Sequence, residues 1–571
     1  MKTSISALIL RISLPLGLFL SACQPATEPQ DEPAVVPNIL LIVVDDMGFT
    51  DIGAFGSEIS TPNVDQLAYA GVRLTNFHAS PQCAPTRSML MSGSDNHKAG
   101  MGSMFGDNFI KGGHGDRPGY ERYLHPRVAT LPERLGDAGY HTYMAGKWHL
   151  GLGDEKKPTA RGFEEAFVLM RGNGNHMEKR AMGPAIYREH GELLDELPKD
   201  FYSTNTYTDK MIEYIGNNQG DGEPFFGYLA LTSPHWPMQA PPEFIDRYAG
   251  KYDDGYDVLR SSRAKRAVEM GVAPDVDTDL FESIGKQWDE LTEEEQRYSA
   301  RKMEIFAAMV ENMDYNVGRL LDYLKETGEF ENTFIFFMSD NGAESDREDM
   351  NPTFVDGIAR ANYYDNSYEN LGKASSWAYI GPGWAQASTA PYRLFKGFLT
   401  EGGNRVTSFA YHPTLAASGT IDDQYVSVMD VMPTFLDLAN AEFDETTVRS
   451  RQVEPMDGLS FLAMFEDGSN PIYGPDEVVA SELHGQRALL RGNWKIVWEQ
   501  KLANIWWDDE EPDHWRSWRL YNLADDPTEQ TDLAAAEPAI LAELTGLWHQ
   551  WAEEHHVMED VTPYWPEPRS N

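Results

Sequence analysis

Cysteine is almost absent from this chain: two in 571 residues, at positions 23 and 83. So few thiols exclude a disulfide framework, and each of the two needs its own explanation. Positive charge is scarce as well. Lys and Arg number 47 against 90 Asp and Glu, a formal net charge of -43 with a sequence pI ≈ 4.6. So acidic a chain repels phosphate backbones, which excludes nucleic acid as a partner. A site for an anionic ester would have to build a positive pocket against the protein's own field. Beyond the N-terminus no apolar run is long enough to read as a transmembrane helix. No internal repeat at solenoid or propeller period occurs.

The N-terminus has Lys2 and Arg11 around a short positive segment and an apolar run over residues 12–20, too short to span a bilayer. Leu20-Ser21-Ala22-Cys23 follows and resembles a bacterial lipobox. That resemblance implies removal of residues 1–22 as a lipoprotein signal peptide and a lipid on Cys23. An ordinary secretory signal peptide cleaved nearby is the alternative. Both expect export, and the lipobox adds membrane attachment, as a periplasmic or outer-membrane-anchored lipoprotein. Residues 23–37 then read as an acidic, Pro-rich tether with too few apolar residues to fold.

The remaining length suits one large α/β domain, over residues 38–473, with a smaller α+β subdomain over 474–571. Apolar runs alternate with helical patterns, which predicts a mixed, mainly parallel sheet covered by helices. Residues 38–44 (NILLIVV) read as a central strand buried on both faces. Residues 140–145, 225–231 and 333–338 read as further core strands. Thr61-Pro62 opens a helix to about residue 70, with the threonine as its cap. Ile305, Met309, Met313, Val317 and Leu320 recur at three- or four-residue spacing, which predicts a helix over 298–327 closed by Gly328. Near the end, 488–490 and 495–498 flank Arg491-Gly492-Asn493 as a hairpin. Residues 519–523 and a helix over 538–554 complete the small subdomain. Residues 341–388 read as a long loop.

Four strands end in polar residues, and in doubly wound sheets ligands bind beyond the carboxyl ends of the strands. Residues 38–44 run into Asp45-Asp46, 333–338 into Asp340-Asn341-Gly342, 140–145 into Gly146-Lys147-Trp148-His149, and 225–231 into Ser233-Pro234-His235. Asp45, Asp46, Asp340 and the Asn341 amide would make an all-oxygen site, suited to Ca²⁺ or Mg²⁺ rather than zinc. Cys83 is expected at the start of a helix running through Met91, whose amide groups favour an anion. Arg87, four residues on, lies one turn away on the same face. With a divalent cation, these aspartates, Arg87, Lys147 and Lys396 sum to a net positive pocket.

Cys83-x-Pro-Thr-Arg, Gly146-Lys147-Trp148-His149-Leu150-Gly151, Ser233-Pro234-His235, Asp340-Asn341-Gly342 and Lys396…Glu401-Gly402-Gly403-x-Arg405 occur in one order. Across roughly residues 38–535 this order resembles bacterial arylsulfatases of the type I, formylglycine-dependent sulfatase family. Ser94-Asp95-Asn96-His97-Lys98 and Arg161-Gly162-Phe163 add to the likeness. The resemblance implies an alkaline-phosphatase-like α/β fold and hydrolysis of sulfate monoesters, either aryl sulfates or sulfated carbohydrates. It implies that a maturation enzyme oxidises Cys83 to a formylglycine nucleophile, held by Arg87 and by the metal on Asp45, Asp46, Asp340 and Asn341. Lys147, His235 and Lys396 would bind the ester, and His149 would assist turnover of the hydrated aldehyde. A lipidated Cys23 and an oxidised Cys83 leave no disulfide. One rival is a phosphonate or phosphate diester hydrolase of the same superfamily. Another is a surface lipoprotein that binds sulfated glycans, with Tyr363, Tyr364, Trp377, Trp506, Trp507 and Trp515 stacking on sugars.

Overall fold

The run NILLIVVD forms β1 (Asn38–Asp45), buried along its whole length as a strand covered on both faces requires. The computed structural model describes residues 36–104, 117–179, 185–276, 284–346, 364–465, 471–500 and 515–558. The leader, Cys23, most of the tether, Tyr363, Trp506 and Trp507 lie outside the described residues.

Among the described residues, nine further strands join β1 in one sheet: β2 (Val72–Leu74), β3 (His141–Lys147), β4 (Glu165–Leu169), β5 (Tyr187–Glu189), β6 (Glu192–Leu193), β7 (Phe225–Pro234), β8 (Thr333–Ser339), β9 (Ser408–Tyr411) and β10 (Thr420–Asp422). Their order is β10-β2-β9-β8-β1-β7-β3-β4-β5-β6. The centre is parallel: β1 pairs with β7 and β8, and β3 pairs with β7 and β4. The flanking strand β9 and the edge pairs β4–β5 and β5–β6 are antiparallel. Ile39 lies opposite both Phe226 and Phe334, so β1, β7 and β8 finish along one edge of the sheet. The strands run one to three residues beyond the boundaries expected from sequence, which makes Asp45, Lys147 and Ser339 their last residues.

Helices cover the sheet. They include α1 (Pro62–Ala70), α2 (Cys83–Ser92), α3 (Ser203–Asn217), α4 (Tyr256–Glu269) and α5 (Glu293–Thr327). α3 packs on β7 and β3, and α5 packs across α3. α5 starts earlier than its apolar spacing predicts, because Thr292 and Glu295 form a capping box ahead of the first buried residue. Gly328 closes it with φ 81, the left-handed conformation expected of that glycine. The helix buries Met303, Phe306, Met309, Met313, Val317 and Leu320, each contributing about 1.5–3 kcal/mol. Thr61 holds the N-cap position of α1 ahead of Pro62, as expected, but its side chain makes no capping bond to the helix amides. Its hydroxyl donates to Asp65 Oδ1 (3.0 Å) and accepts from Gly53 N (2.8 Å), tying the helix to the preceding turn.

The segment over 341–388 is not wholly irregular, since Pro382–Ser388 is helical. Tyr364 packs at 4.8 Å on Trp377, which is buried in the main core, and Trp515 packs on Phe398. Trp377 and Trp515 are therefore core residues, withdrawn from any sugar surface.

At the C-terminal end β11 (Val478–Leu483), β12 (Gln486–Arg491), β13 (Trp494–Trp498) and β14 (Trp518–Asn522) form an antiparallel meander. It is covered by α6 (Pro538–Glu554) through Leu544, Trp548 and Ala552. Buried ion pairs bind this sheet to the main one. Glu401 accepts from Lys495 (2.6 Å) on β13 and from Arg405 (2.7 Å), and it meets His78 at 3.0 Å. Farther along, His97 sits between Asp95 (3.1 Å) and Glu482 (2.9 Å) of β11.

Against the desolvation of burial, those two carboxylates hold His97 up to about 9 from a usual 6.5. A raised folded-state pKa contributes stability that is complete below pH 6.5 and lost as pH rises through 9. His97→Gln is expected to lower stability by about 3 kcal/mol at pH 6. Thermal melts of both forms between pH 6 and 9.5 check this. The gap should shrink as pH rises, and a constant gap would show that His97 is held uncharged.

Candidate active site

The parallel register sets Asp45, Lys147, Pro234 and Ser339 at neighbouring strand ends. Asp46 leaves β1 with φ 68, a left-handed turn that brings both aspartates to one side. The turn is held by three backbone donors. Asp46 N donates to Asp340 Oδ1 (3.2 Å), Met47 N to Ser339 Oγ (3.0 Å) and Gly48 N to Asp51 Oδ2 (2.7 Å). Lys147 reaches Asp45 at 2.6 and 2.8 Å. Its place depends on Gly146, with φ 123, where a side chain would lie 1.8 Å from the Ala230 carbonyl.

Cys83 is the first residue of α2 and is buried, with Sγ 3.7 Å from Asp46 Oδ1. Pro85 fits the first turn because its nitrogen needs no acceptor there. Gly93 ends the helix with φ 62. Arg87 directs its guanidinium to Asp340 (2.7 and 2.9 Å), the Lys147 carbonyl (3.0 Å) and the Tyr228 hydroxyl (3.3 Å). Its tight partner is thus Asp340, through which it also braces the Asp46 turn.

His235 Nδ1 lies 2.6 Å from the Trp236 carbonyl, so that nitrogen carries the proton and Nε2 presents a lone pair. Nε2 faces Asp46 Oδ2 at 3.4 Å. His176 supports the loop by donating from Nε2 to the His235 carbonyl (2.9 Å) while Nδ1 meets Ser203 Oγ (2.7 Å). Lys396 bonds to Asp46 (2.7 Å) and to Glu344 (2.7 Å). His149 has φ 57, and its buried Nδ1 has no hydrogen-bond partner among the described residues. Its ring lies so close to Gly172 that a side chain there would fall 2.4 Å from Cε1. The structure therefore brings all the predicted site residues, Asp45, Asp46, Cys83, Arg87, Lys147, His149, His235, Asp340, Asn341 and Lys396, to this end of the sheet. Glu401 and Arg405, from the last motif, point instead into the buried junction with the C-terminal sheet.

Glu344 is the charged residue that sequence reading passed over. It lies two residues beyond the Asp-Asn-Gly turn, a signal that was available. His176 and Tyr228 had none, being single residues on distant elements. With Glu344 counted, four buried carboxylates among the described residues face Lys147, Arg87 and Lys396, one negative charge in excess. The electrostatics reflect that excess. Burial and the charge of Asp340 push Asp45 up to about 6, and burial holds Asp46 well above the carboxylate range. Against burial, Arg87 and Lys147 keep Asp340 ionised, and Lys396 does so for Glu344. Burial, with Lys147 beside them, holds His149 and His235 well below the usual histidine range, so both are neutral.

The donor set suits a divalent cation. Donor atoms of Asp45, Asp46, Cys83 and His235 lie within 4.8 Å of one another. Asn341 donates its Nδ2 to Asp46 Oδ1 (2.7 Å) and leaves Oδ1 buried and without a partner among the described residues, so a half-turn of the amide would offer an oxygen ligand beside the aspartates. The Nε2 lone pair of His235 opposite a carboxylate is likewise an arrangement that a cation relieves. One divalent ion would convert the excess negative charge into a single positive one, smaller than the sum expected without Glu344.

The family model described as Sulfatase matches residues 37–441. An uncharacterized sulfatase of Schizosaccharomyces pombe is 44% identical over 536 residues, covering 91% of this chain and 94% of the relative. The arylsulfatase of Klebsiella aerogenes is 38% identical over 439 residues, covering 75% and 92%. Among solved structures, Ps i-CgsB in complex with k-i-k-neocarrahexaose shares the fold with a TM-score of 0.63 at 23% identity, covering 94% of this chain and 95% of that one. Family match, identity and fold agree with the buried strand-end site, and this chain belongs to the sulfatase family, a hydrolase of sulfate esters.

Proposed function

We propose that the chain cleaves sulfate monoesters, of aryl alcohols or carbohydrates, through residue 83 after a maturation enzyme has oxidised its cysteine to formylglycine. The observation that carries this reading is the place of Cys83, at the head of α2 and within 4.8 Å of the Asp45, Asp46 and His235 donors. Burial pushes its thiol well above the usual cysteine range, so the unmodified residue would be a weak nucleophile. Oxidised and hydrated, residue 83 offers two hydroxyls on one carbon, one to take the sulfuryl group and the other to expel sulfate.

Asp45, Asp46, Asp340 and the Asn341 amide oxygen would hold Ca²⁺, with Mg²⁺ as the alternative, since the oxygen donors suit a hard ion. Bound there, the ion supplies positive charge to the sulfate oxygens and to the attacking hydroxyl. Lys147 and Lys396, kept ionised against burial chiefly by Asp45 and Asp46, meet the sulfate oxygens. Arg87 orients Asp340 and the head of α2. Lys396 and His235 face the departing oxygen, and Lys396 holds a proton to give. His149, neutral and with an unpartnered Nδ1, can accept the proton of the second hydroxyl. The names of the Klebsiella relative and of the carrahexaose complex support the aryl and carbohydrate readings respectively. The reading extends to export, with residues 1–22 removed and Cys23 lipidated.

Mass spectrometry of the peptide containing residue 83, from the native host, is expected to show the aldehyde in place of the thiol. Cys83→Ala should fold normally and lose sulfate-ester turnover by roughly a thousandfold or more. Full activity in that variant would end the reading, and a preference for matched aryl phosphate over aryl sulfate would favour the phosphonate or phosphate hydrolase instead.

Chelation is expected to abolish activity and to lower the melting temperature, because the ion stabilises only the folded state. Calcium or magnesium should restore both. Restoration by zinc alone would contradict an oxygen-rich site.

His235→Ala should lose most on esters of poor leaving groups and recover in part on nitrophenyl sulfate, which departs without a proton. His149→Ala should be slow on every ester and accumulate sulfate on residue 83. Trapped sulfate in the His235 variant alone would reverse the two roles.

A further inference from the structure

Lys396 has two counter-ions, and one of them lies outside the proposed ligand set. Its Nζ is 2.7 Å from Asp46 Oδ1 and 2.7 Å from Glu344 Oε2, with all three side chains buried. Glu344 is saturated. Oε2 also accepts from Trp236 Nε1 (3.0 Å), and Oε1 accepts from Ser345 N and Asp346 N (2.9 Å each). Four hydrogen bonds occupy the four lone pairs of a carboxylate, so Glu344 has none to offer a substrate. Its chemistry is exerted through Lys396. The shared Trp236 contact also links it to the loop that carries His235.

A cation bound by Asp46 both neutralises that carboxylate and repels the ammonium beside it. A lysine with Asp46 as sole partner would then swing away from the departing oxygen. Glu344, anchored by two backbone amides and an indole, gives the ammonium a second fixed anion.

We propose that Glu344 is the positioning residue that holds Lys396 at the leaving-group oxygen while a cation occupies Asp46. This rests on the sulfate-ester mechanism proposed above. It predicts two separable effects, one on chemistry and one on cation binding, since the ion no longer competes for Asp46 with a lysine that has another partner.

The test uses the mature full chain with Glu344→Gln, Lys396→Met and the double variant. Gln keeps the shape and, through its single oxygen, can still accept from the two backbone amides. In Glu344→Gln, kcat on an alkyl or sugar sulfate should fall about 10- to 100-fold, the loss expected of one charged hydrogen bond, with KM little changed. Nitrophenyl sulfate, which needs no proton, should lose only a few-fold. Calcium affinity, read by titration calorimetry, should weaken several-fold. Adding Glu344→Gln to Lys396→Met should change neither quantity further. Glu344→Asp, which restores the charge, should recover part of the loss, and melting temperatures show whether each variant is folded. Equal losses on both esters, or additive effects in the double variant, would overturn the proposal. Wild-type enzyme with verified aldehyde at residue 83 but no sulfate-ester turnover would sink the underlying mechanism instead. Calorimetry still decides the Glu344–Lys396 coupling in that case, because it needs no turnover.

Discussion

Everything at the working end of this protein depends on burying Asp45, Asp46, Asp340 and Glu344 together and matching them with Lys147, Arg87 and Lys396. An isolated buried carboxylate costs several kcal/mol, so none of the four would stay ionised here without a partner. The pairing is specific rather than diffuse: Lys147 takes Asp45, Arg87 takes Asp340, and Lys396 is divided between Asp46 and Glu344. The shortfall of one positive charge falls on Asp45 and Asp46, the two carboxylates pushed upward. Those are also the residues with most to gain from a bound cation. On the reading proposed above, a single divalent ion would complete the lattice and turn it into a receptor for a sulfate group.

The same charge balance answers the difficulty posed by a net charge of -43. The pocket is not made positive by a basic surface. A divalent cation at the strand ends would make it positive locally, within a low-dielectric sheet end where each charge acts strongly and is screened little by salt. Parallel strands are what allow this, because β1, β3, β7 and β8 deliver their terminal side chains to one edge while their apolar bodies exclude water. α2 adds its amide-rich N-terminus at Cys83, and Arg87 joins that helix to the sheet through Asp340.

A second set of buried ion pairs has a different task. Glu401, Lys495, Arg405 and His78 lie under the junction with the C-terminal sheet, and Asp95, His97 and Glu482 form another bridge there. Glu401 and Arg405 share a motif with Lys396, and Asp95 and His97 lie in the motif just after the Cys83 helix, yet these four serve assembly. Residues that flank a reactive group in sequence are often the ones that fasten its loop to the neighbouring layer.

Sequence by itself determined much of this protein. The uninterrupted apolar run before Asp45 could only be a strand covered on both faces, and the three-to-four spacing of Ile305 to Leu320 could only be a buried helical stripe. Because a strand's polar terminus lies where its apolar run stops, the ends of β1, β3, β7 and β8 were legible, and with them most of the site. Tertiary structure decided what depends on distant partners. Nothing local shows that Arg87 meets Asp340, that Lys396 is shared with Glu344, or that His176 supports His235, since these pairs are brought together by strand order and not by spacing. Thr61 read as a cap, yet its hydroxyl was claimed by Asp65 and Gly53. Only the rival glycan-binding reading placed Trp377 and Trp515 on a surface, and burial of their large apolar area outweighed any such use. Local pattern sets which side chains gather at a strand end, whereas the balance of charge among them exists only once the sheet has closed around it.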